Sequence, residues 1–215
     1  MNFFANAVFS LTVGISGVIG LVRFRKVDPV YHPFLYLVWI AFFQELCSIL
    51  ICCAGYSNVV LYNAYSLAEC VLLCWQFRRW EFIQNEVFYC ALLGVCVCFW
   101  GIEWIVQPPP GFLSYFIIFY SFVLVLLSIN AINQLLFRDM ISLLRNPIFL
   151  LCICFILYFS FSALVESFWM AGLQRSKTFR LHVHALLCYI NLLTNLIFAI
   201  AVLWMPLRLR YILQC

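Results

Sequence analysis

Apolar positions fill this chain in seven long stretches, over residues 3–22, 33–54, 59–77, 87–106, 112–137, 147–173 and 181–205. Each is long enough to cross ~30 Å of hydrocarbon as a helix of about 20 residues. No stretch alternates apolar and polar residues with a period of two. The pattern therefore predicts helices, which satisfy their own backbone groups in lipid. The predicted fold is an all-α integral membrane protein. It forms a single seven-transmembrane-helix bundle over residues 1–215, with short connections and no room for a soluble module. Pro108, Pro109, Pro110 and Gly111 break the chain between the fourth and fifth stretches.

A weak internal echo overlies this pattern. Phe24-Arg25 precedes Pro33 and a long apolar helix, and Phe137-Arg138 precedes Pro147 and another. The echo suggests a 3+1+3 parallel repeat, with the fourth stretch as linker. Parallel repeats of this kind occur in some transporters.

Composition sharpens the class. The chain is 67% hydrophobic and 9% charged, where soluble domains carry about 25% charged residues. The net charge of +4 reads as topology. Arg23, Arg25, Lys26, Arg78, Arg79, Arg138, Arg145, Arg208 and Arg210 fall on one side of a seven-span arrangement. Arg175, Lys177 and Arg180 fall on the other. The positive-inside rule then places the N-terminus outside and the C-terminus in the cytoplasm. No basic run interleaved with aromatics points to nucleic acid. The first stretch has no basic leader or small-residue cleavage pattern and is expected to be retained. The C-terminal Cys215 is not part of a prenylation box.

Twelve cysteines invite a redox or metal reading. The pairs Cys52-Cys53, Cys96-x-Cys98 and Cys152-x-Cys154 lack the Cys-x-x-Cys spacing of a redox loop. Inside membrane helices they are expected to pack as small apolar residues. No metal or cofactor is predicted.

The chemistry lies in the polar residues within the stretches. Four stretches carry a glutamate: Glu45, Glu69, Glu103 and Glu166. Carboxylates in hydrocarbon are costly and face a cavity or a partner. At about 100° per residue, His184, Cys188, Asn191 and Asn195 share one face of the last stretch. Asn63, Ser66 and Glu69 share a face of the third, with Gln76 further along. Glu45, Ser48 and Cys52 share a face of the second, and Tyr158, Ser162 and Glu166 a face of the sixth. Glu103 lies near Trp100 at the end of the fourth. The inner half is expected to hold buried amides, among them Asn130, Asn133 and Gln134. Convergence of these faces predicts a polar pocket open toward the outside. Its ligand-binding residues would be Glu45, Glu69, Asn63, Asn191, Asn195, Glu166, Glu103 and His184. With no Lys or Arg inside any stretch at its depth, Glu69 is expected to hydrogen-bond an amide such as Asn195 or Asn63. Ser10, Gly14, Ser16, Gly17 and Gly20 supply small-residue spacings for close packing of the first helix.

The run over residues 17–33, the segment Trp75-Gln76-Phe77-Arg78-Arg79-Trp80 and the ending Val202-Leu203-Trp204-Met205-Pro206 resemble a family of small seven-helix proteins of Bacteroidota. The resemblance spans most of the chain. It implies a bacterial inner-membrane location and brings no activity with it. In size, orientation and 3+1+3 layout the chain is also similar to SWEET and PQ-loop transporters, although the Pro-Gln pair of the latter is absent. The last stretch has no lysine for a retinal Schiff base, and the spaced His and Asp set of the ceramidase-like hydrolases is missing.

The expected function is binding of a small polar or cationic solute, as a transporter and not as an enzyme. The alternative is a receptor or sensor subunit that signals to a cytoplasmic partner through the segments at residues 23–32 and 138–145. A third reading is an intramembrane hydrolase with Glu103, Glu166 and His184 as zinc ligands. The partners expected are the lipid bilayer and a small-molecule ligand or substrate.

Overall fold

The computed structural model describes residues 9–107, 111–138, 145–171 and 177–207. Its helices are α1 (Val13–Arg23), α2 (His32–Cys53), α3 (Val59–Arg79), α4 (Glu86–Val106), α5 (Ser114–Arg138), α6 (Pro147–Met170) and α7 (Lys177–Trp204). A 3₁₀ turn, Pro29–Tyr31, leads into α2. The described residues contain no strand beyond one isolated bridge between Val27 and Leu207.

Among the described residues, six helical segments are long and apolar enough to cross a membrane: Pro29–Cys53, Val59–Arg79, Glu86–Val106, Ser114–Phe137, Pro147–Met170 and Ala185–Trp204. An apolar helical bundle of this kind fits a polytopic integral membrane protein. The first predicted span differs. Phe9 and Ser10 are helical, Leu11 and Thr12 form a turn, and α1 runs for only 11 residues. At 1.5 Å per residue that is ~16 Å, about half the hydrocarbon thickness. The remainder of that span lies outside the described residues.

Local chemistry fixes the helix ends. Asn85 accepts from Val87 N and Phe88 N to cap α4, and Asn146 accepts from Ile148 N to cap α6. Pro147 sits in the first turn of α6, where its missing N–H costs nothing. Beyond α2, Gly55 adopts φ +80°, while Tyr56 N bonds Ile51 O and Gly55 N bonds Cys52 O. This Schellman turn needs a left-handed residue, and glycine takes that conformation without strain. At the end of α3 the same turn is built on Glu81 at φ 66°.

The helices pack as a ring in the order α1, α2, α3, α5, α6, α7 and back to α1. Helix α4 packs chiefly on α3 and α5, outside the ring. Little of its apolar surface is buried, so most of it is left open on the outside of the bundle. Close approach of α1 to α2 depends on glycine. A Cβ on Gly14 would lie 2.8 Å from the Phe42 ring, and one on Gly20 would lie 3.0 Å from Leu35. Trp39 Nε1 donates to Gly17 O at 3.1 Å across the same seam. Ser121 and Ser128 of α5 are fully buried.

One end of the bundle carries Arg23, Arg78, Arg79 and Arg145, and is called here the basic end. Several bonds tie it together. Gln76 of α3 accepts from Phe34 N at 2.8 Å and donates to Val30 O at 2.8 Å. Arg23 donates to the carbonyls of Val202, Leu203 and Met205 at the C-terminus of α7, a favourable place for a cation. Asp28 N bonds Pro206 O at 3.1 Å. Above these bonds the rings of Phe34, Phe77, Phe155 and Phe198 meet at the ring axis, with centroids 5.1–6.2 Å apart. The first three of these side chains are essentially inaccessible to solvent.

Candidate functional site

A cavity of about 80 Å³ lies at the axis of the ring. Helix α2 contributes Gln44 and Glu45 to its wall, and α3 contributes Tyr62, Tyr65 and Glu69. Tyr158 comes from α6, and Asn191, Thr194 and Asn195 come from α7. Ser10, before α1, also lines the cavity. Phe155, Phe159 and Phe198 form the floor toward the basic end. Glu69 lies ten residues from each end of α3, ~15 Å along the helix from either. It is therefore at mid-membrane depth.

The faces predicted from helical angle converge in part. Glu45, Glu69, Asn191 and Asn195 share the cavity. Glu69 is 6% exposed and Asn195 4%, whereas Glu45 and Asn191 are half-buried. The expected amide partner of Glu69 is replaced by two tyrosines. Tyr65 donates to Glu69 Oε1 at 3.0 Å, and Tyr120 of α5 donates to Oε2 at 2.8 Å. The amides are engaged elsewhere. Asn195 Nδ2 donates to Thr12 Oγ1 at 3.0 Å, and Thr12 in turn donates to Phe9 O at 2.5 Å. This pair holds α7 against the break before α1.

Asn63, Glu103 and Glu166 do not line the cavity. Asn63 Nδ2 donates to Gly111 O at 2.9 Å, and its Oδ1 accepts from Leu113 N at 3.3 Å. Trp100 Nε1 donates to Asn63 O. These bonds pin the connection between α4 and α5. Glu103 accepts from Tyr115 N at 3.0 Å and Phe116 N at 2.6 Å. It supplies negative charge and acceptors to the first-turn N–H groups of α5, which have no partner within their own helix. Glu166 accepts from Ser114 Oγ at 2.7 Å. The His184 side chain lies outside the described residues. Among those described, no group of three His, Cys, Asp or Glu is placed to hold a metal ion.

Other polar positions also resolve. Ser48 accepts from Asn58 Nδ2, and Cys52 is exposed. Asn130 and Asn133, expected to be buried, are exposed on α5. No disulfide forms among the described cysteines, and Cys70, Cys74, Cys96, Cys152 and Cys154 are buried.

Glu103→Ala is expected to destabilise the fold by about 1–3 kcal/mol, because two backbone donors, the buried Phe116 N and the part-buried Tyr115 N, lose their acceptor. Solute binding by the folded fraction should be unchanged. Thermal unfolding of purified protein in detergent, paired with a binding titration, checks both parts.

Tyr62, Tyr65, Tyr120, Thr194 and Gln44 were not among the residues predicted for the site. Tyr65 had a local signal, because it stands four residues before Glu69 on one helical face. Tyr120 lies 51 positions from Glu69, and only the ring order brings the two together.

Comparison of the chain with family models, curated proteins and solved structures finds no match.

Proposed function

We propose that this membrane protein binds a small organic or inorganic cation in the central cavity, and that it does so as a transporter. The observation that carries the reading is the make-up of the cavity wall. Two carboxyl groups, Glu45 and Glu69, line it with the amides Gln44, Asn191 and Asn195, and no Lys, Arg or His is among its described lining residues. Carboxyl groups at this depth are expensive and need a partner. A cationic solute supplies the missing charge. The aromatic rings of Tyr62, Tyr65 and Tyr158 suit it further, since ring faces attract cations.

Size narrows the solute. Drug-sized ligands occupy pockets of about 300–1,000 Å³. At about 80 Å³, the cavity suits a primary amine of a few heavy atoms or a partly hydrated metal cation. Glu69 and Glu45 would hold the charge, and Asn191 and Asn195 would orient the polar remainder. The break in the first helix at Leu11 and Thr12 supports transport, since broken helices border the sites of many transporters.

In this reading the N-terminal segment completes a seventh crossing. Helices α1–α3 and α5–α7 form two halves around the axis, with α4 as linker. The N-terminus lies outside and the basic end faces the cytoplasm. The Phe34, Phe77, Phe155 and Phe198 cluster is the barrier that must part for release. The bonded closure of that end also favours a second reading, a sensor that binds without passage.

Uptake of radiolabelled ethylamine into proteoliposomes tests the proposal directly. Saturable uptake that fails in Glu69→Gln supports transport. Binding without uptake favours the sensor. Neither binding nor uptake across a panel of small amines and alkali cations removes both readings.

A further inference from the structure

The cavity has a second neighbour. On the lipid side of α2 and α3 lies a groove of about 340 Å³, roomier than the cavity itself. Two of its lining residues, Gln44 and Tyr65, also line the cavity. They are the wall between the two spaces. The rest of the groove is apolar or small: Ile40, Phe43 and Cys47 on α2, with Leu61, Ala64 and Ala68 on α3. On each helix these positions recur at spacings of three and four residues, so they present one continuous face. The alanines leave open the space that larger side chains would fill.

The chemistry of the divider distinguishes this groove from an ordinary lipid-facing cleft. The Tyr65 hydroxyl bonds Glu69 inside the cavity, while its side chain borders the groove outside. Gln44 is buried, yet its neighbour Phe43 is 64% exposed to the lipid side. Breaking the Tyr65 bond would free a Glu69 oxygen for a new donor. A second apolar cleft, lined by Phe99, Phe119 and Phe122, shares no carboxyl or amide with the cavity.

We infer that the α2–α3 groove is a lateral portal, and that the cation taken is amphiphilic: a single-chain alkyl amine. Its ammonium head would reach Glu69 and Glu45 past Tyr65, while its chain stays in the groove. This inference rests on the proposed cation site and deepens it. Hydrocarbon would solvate the chain throughout, and only the head would need a polar site. That matches a small cavity beside a larger groove.

The test uses the full chain in proteoliposomes and a dodecylamine carrying a photoactivatable group at the end of its chain. Cross-links are expected within residues 40–47 and 61–68, and excess ethylamine should suppress them by competing for the head site. Ala68→Trp, or Ala64→Trp should the first variant fold poorly, is expected to lower cross-linking about tenfold, equivalent to ~1.4 kcal/mol. Ethylamine binding, which also reports correct folding, should stay unchanged. Cross-links spread over the lipid faces of all helices, or insensitive to ethylamine, would overturn the portal. So would undiminished cross-linking in a Trp variant that still binds ethylamine. If ethylamine binds in a Glu69-dependent way while the chain labels elsewhere, the portal alone falls. If ethylamine does not bind, the cation site falls with it.

Discussion

Glu69→Gln is expected to weaken ethylamine binding by roughly thirtyfold to several thousandfold. Removing one partner of a buried, hydrogen-bonded charge pair costs about 2–5 kcal/mol, and each 1.4 kcal/mol is about tenfold in affinity. The substitution is close in shape. The glutamine carbonyl can accept from one of Tyr65 and Tyr120, and the other hydroxyl can turn to accept from the amide. The fold should survive, and the loss reports charge. Glu45→Gln should cost less, because Glu45 is half-buried and exposed charges are better screened. Calorimetric titration in detergent measures affinity, and proteoliposome uptake measures passage. Robust uptake unaffected by either substitution would remove these two carboxyls from the site while leaving transport intact.

Part of this site was legible in the sequence. A helix fixes angle and depth together, so Glu69 on α3, Glu45 on α2 and Asn191 and Asn195 on α7 could each be placed on a face near mid-membrane. The same reasoning failed at helix ends. Asn63 and Glu103 occupy plausible faces, but each lies beside the connection between α4 and α5, whose backbone groups need partners. Those groups claim both side chains. Periodicity reports which residues share a face and says nothing about which turn lies opposite. Asn130 and Asn133 fail for another reason. Polarity alone placed them inwards, although they share their side of α5 with the exposed Phe122, Ile129 and Phe137.

The fold divides along similar lines. Long apolar runs gave six helices because length and hydropathy are properties of the segment itself. The first helix breaks at Leu11 and Thr12, where Thr12 bonds both Phe9 and Asn195. No apolar count registers that contact across the bundle. The Phe34, Phe77, Phe155 and Phe198 cluster was hidden among 23 phenylalanines. Each is unremarkable in its own helix, and they pack together only because α2, α3, α6 and α7 meet there.

The bond that sets α2 against α3 leads to the second large effect. Gln76→Leu is expected to lower the thermal unfolding midpoint by about 10 °C. Gln76 is fully buried and serves two backbone groups, Phe34 N and Val30 O. Phe34 N is a first-turn donor of α2 with no intrahelical acceptor, and Pro33 beside it has no N–H. Leucine fills similar space and satisfies neither group. Each orphaned group costs about 1–3 kcal/mol, at roughly 2–4 °C per kcal/mol for a chain of this size. Gln84→Leu, an exposed amide at the same end, should shift stability by no more than about 0.5 kcal/mol. Equal melting of Gln76→Leu and wild type would show that the two backbone groups find other partners. The clamp also bears on binding. Gln76 fixes the start of α2 against α3, and these helices carry Glu45 and Glu69. If the clamp sets their register, the folded fraction of Gln76→Leu should bind ethylamine more weakly than wild type. Titration of that fraction at a temperature below its midpoint reads this effect separately from stability. Full affinity in a destabilised protein would mean that the cavity is held by the helices around it and not by this end of the bundle.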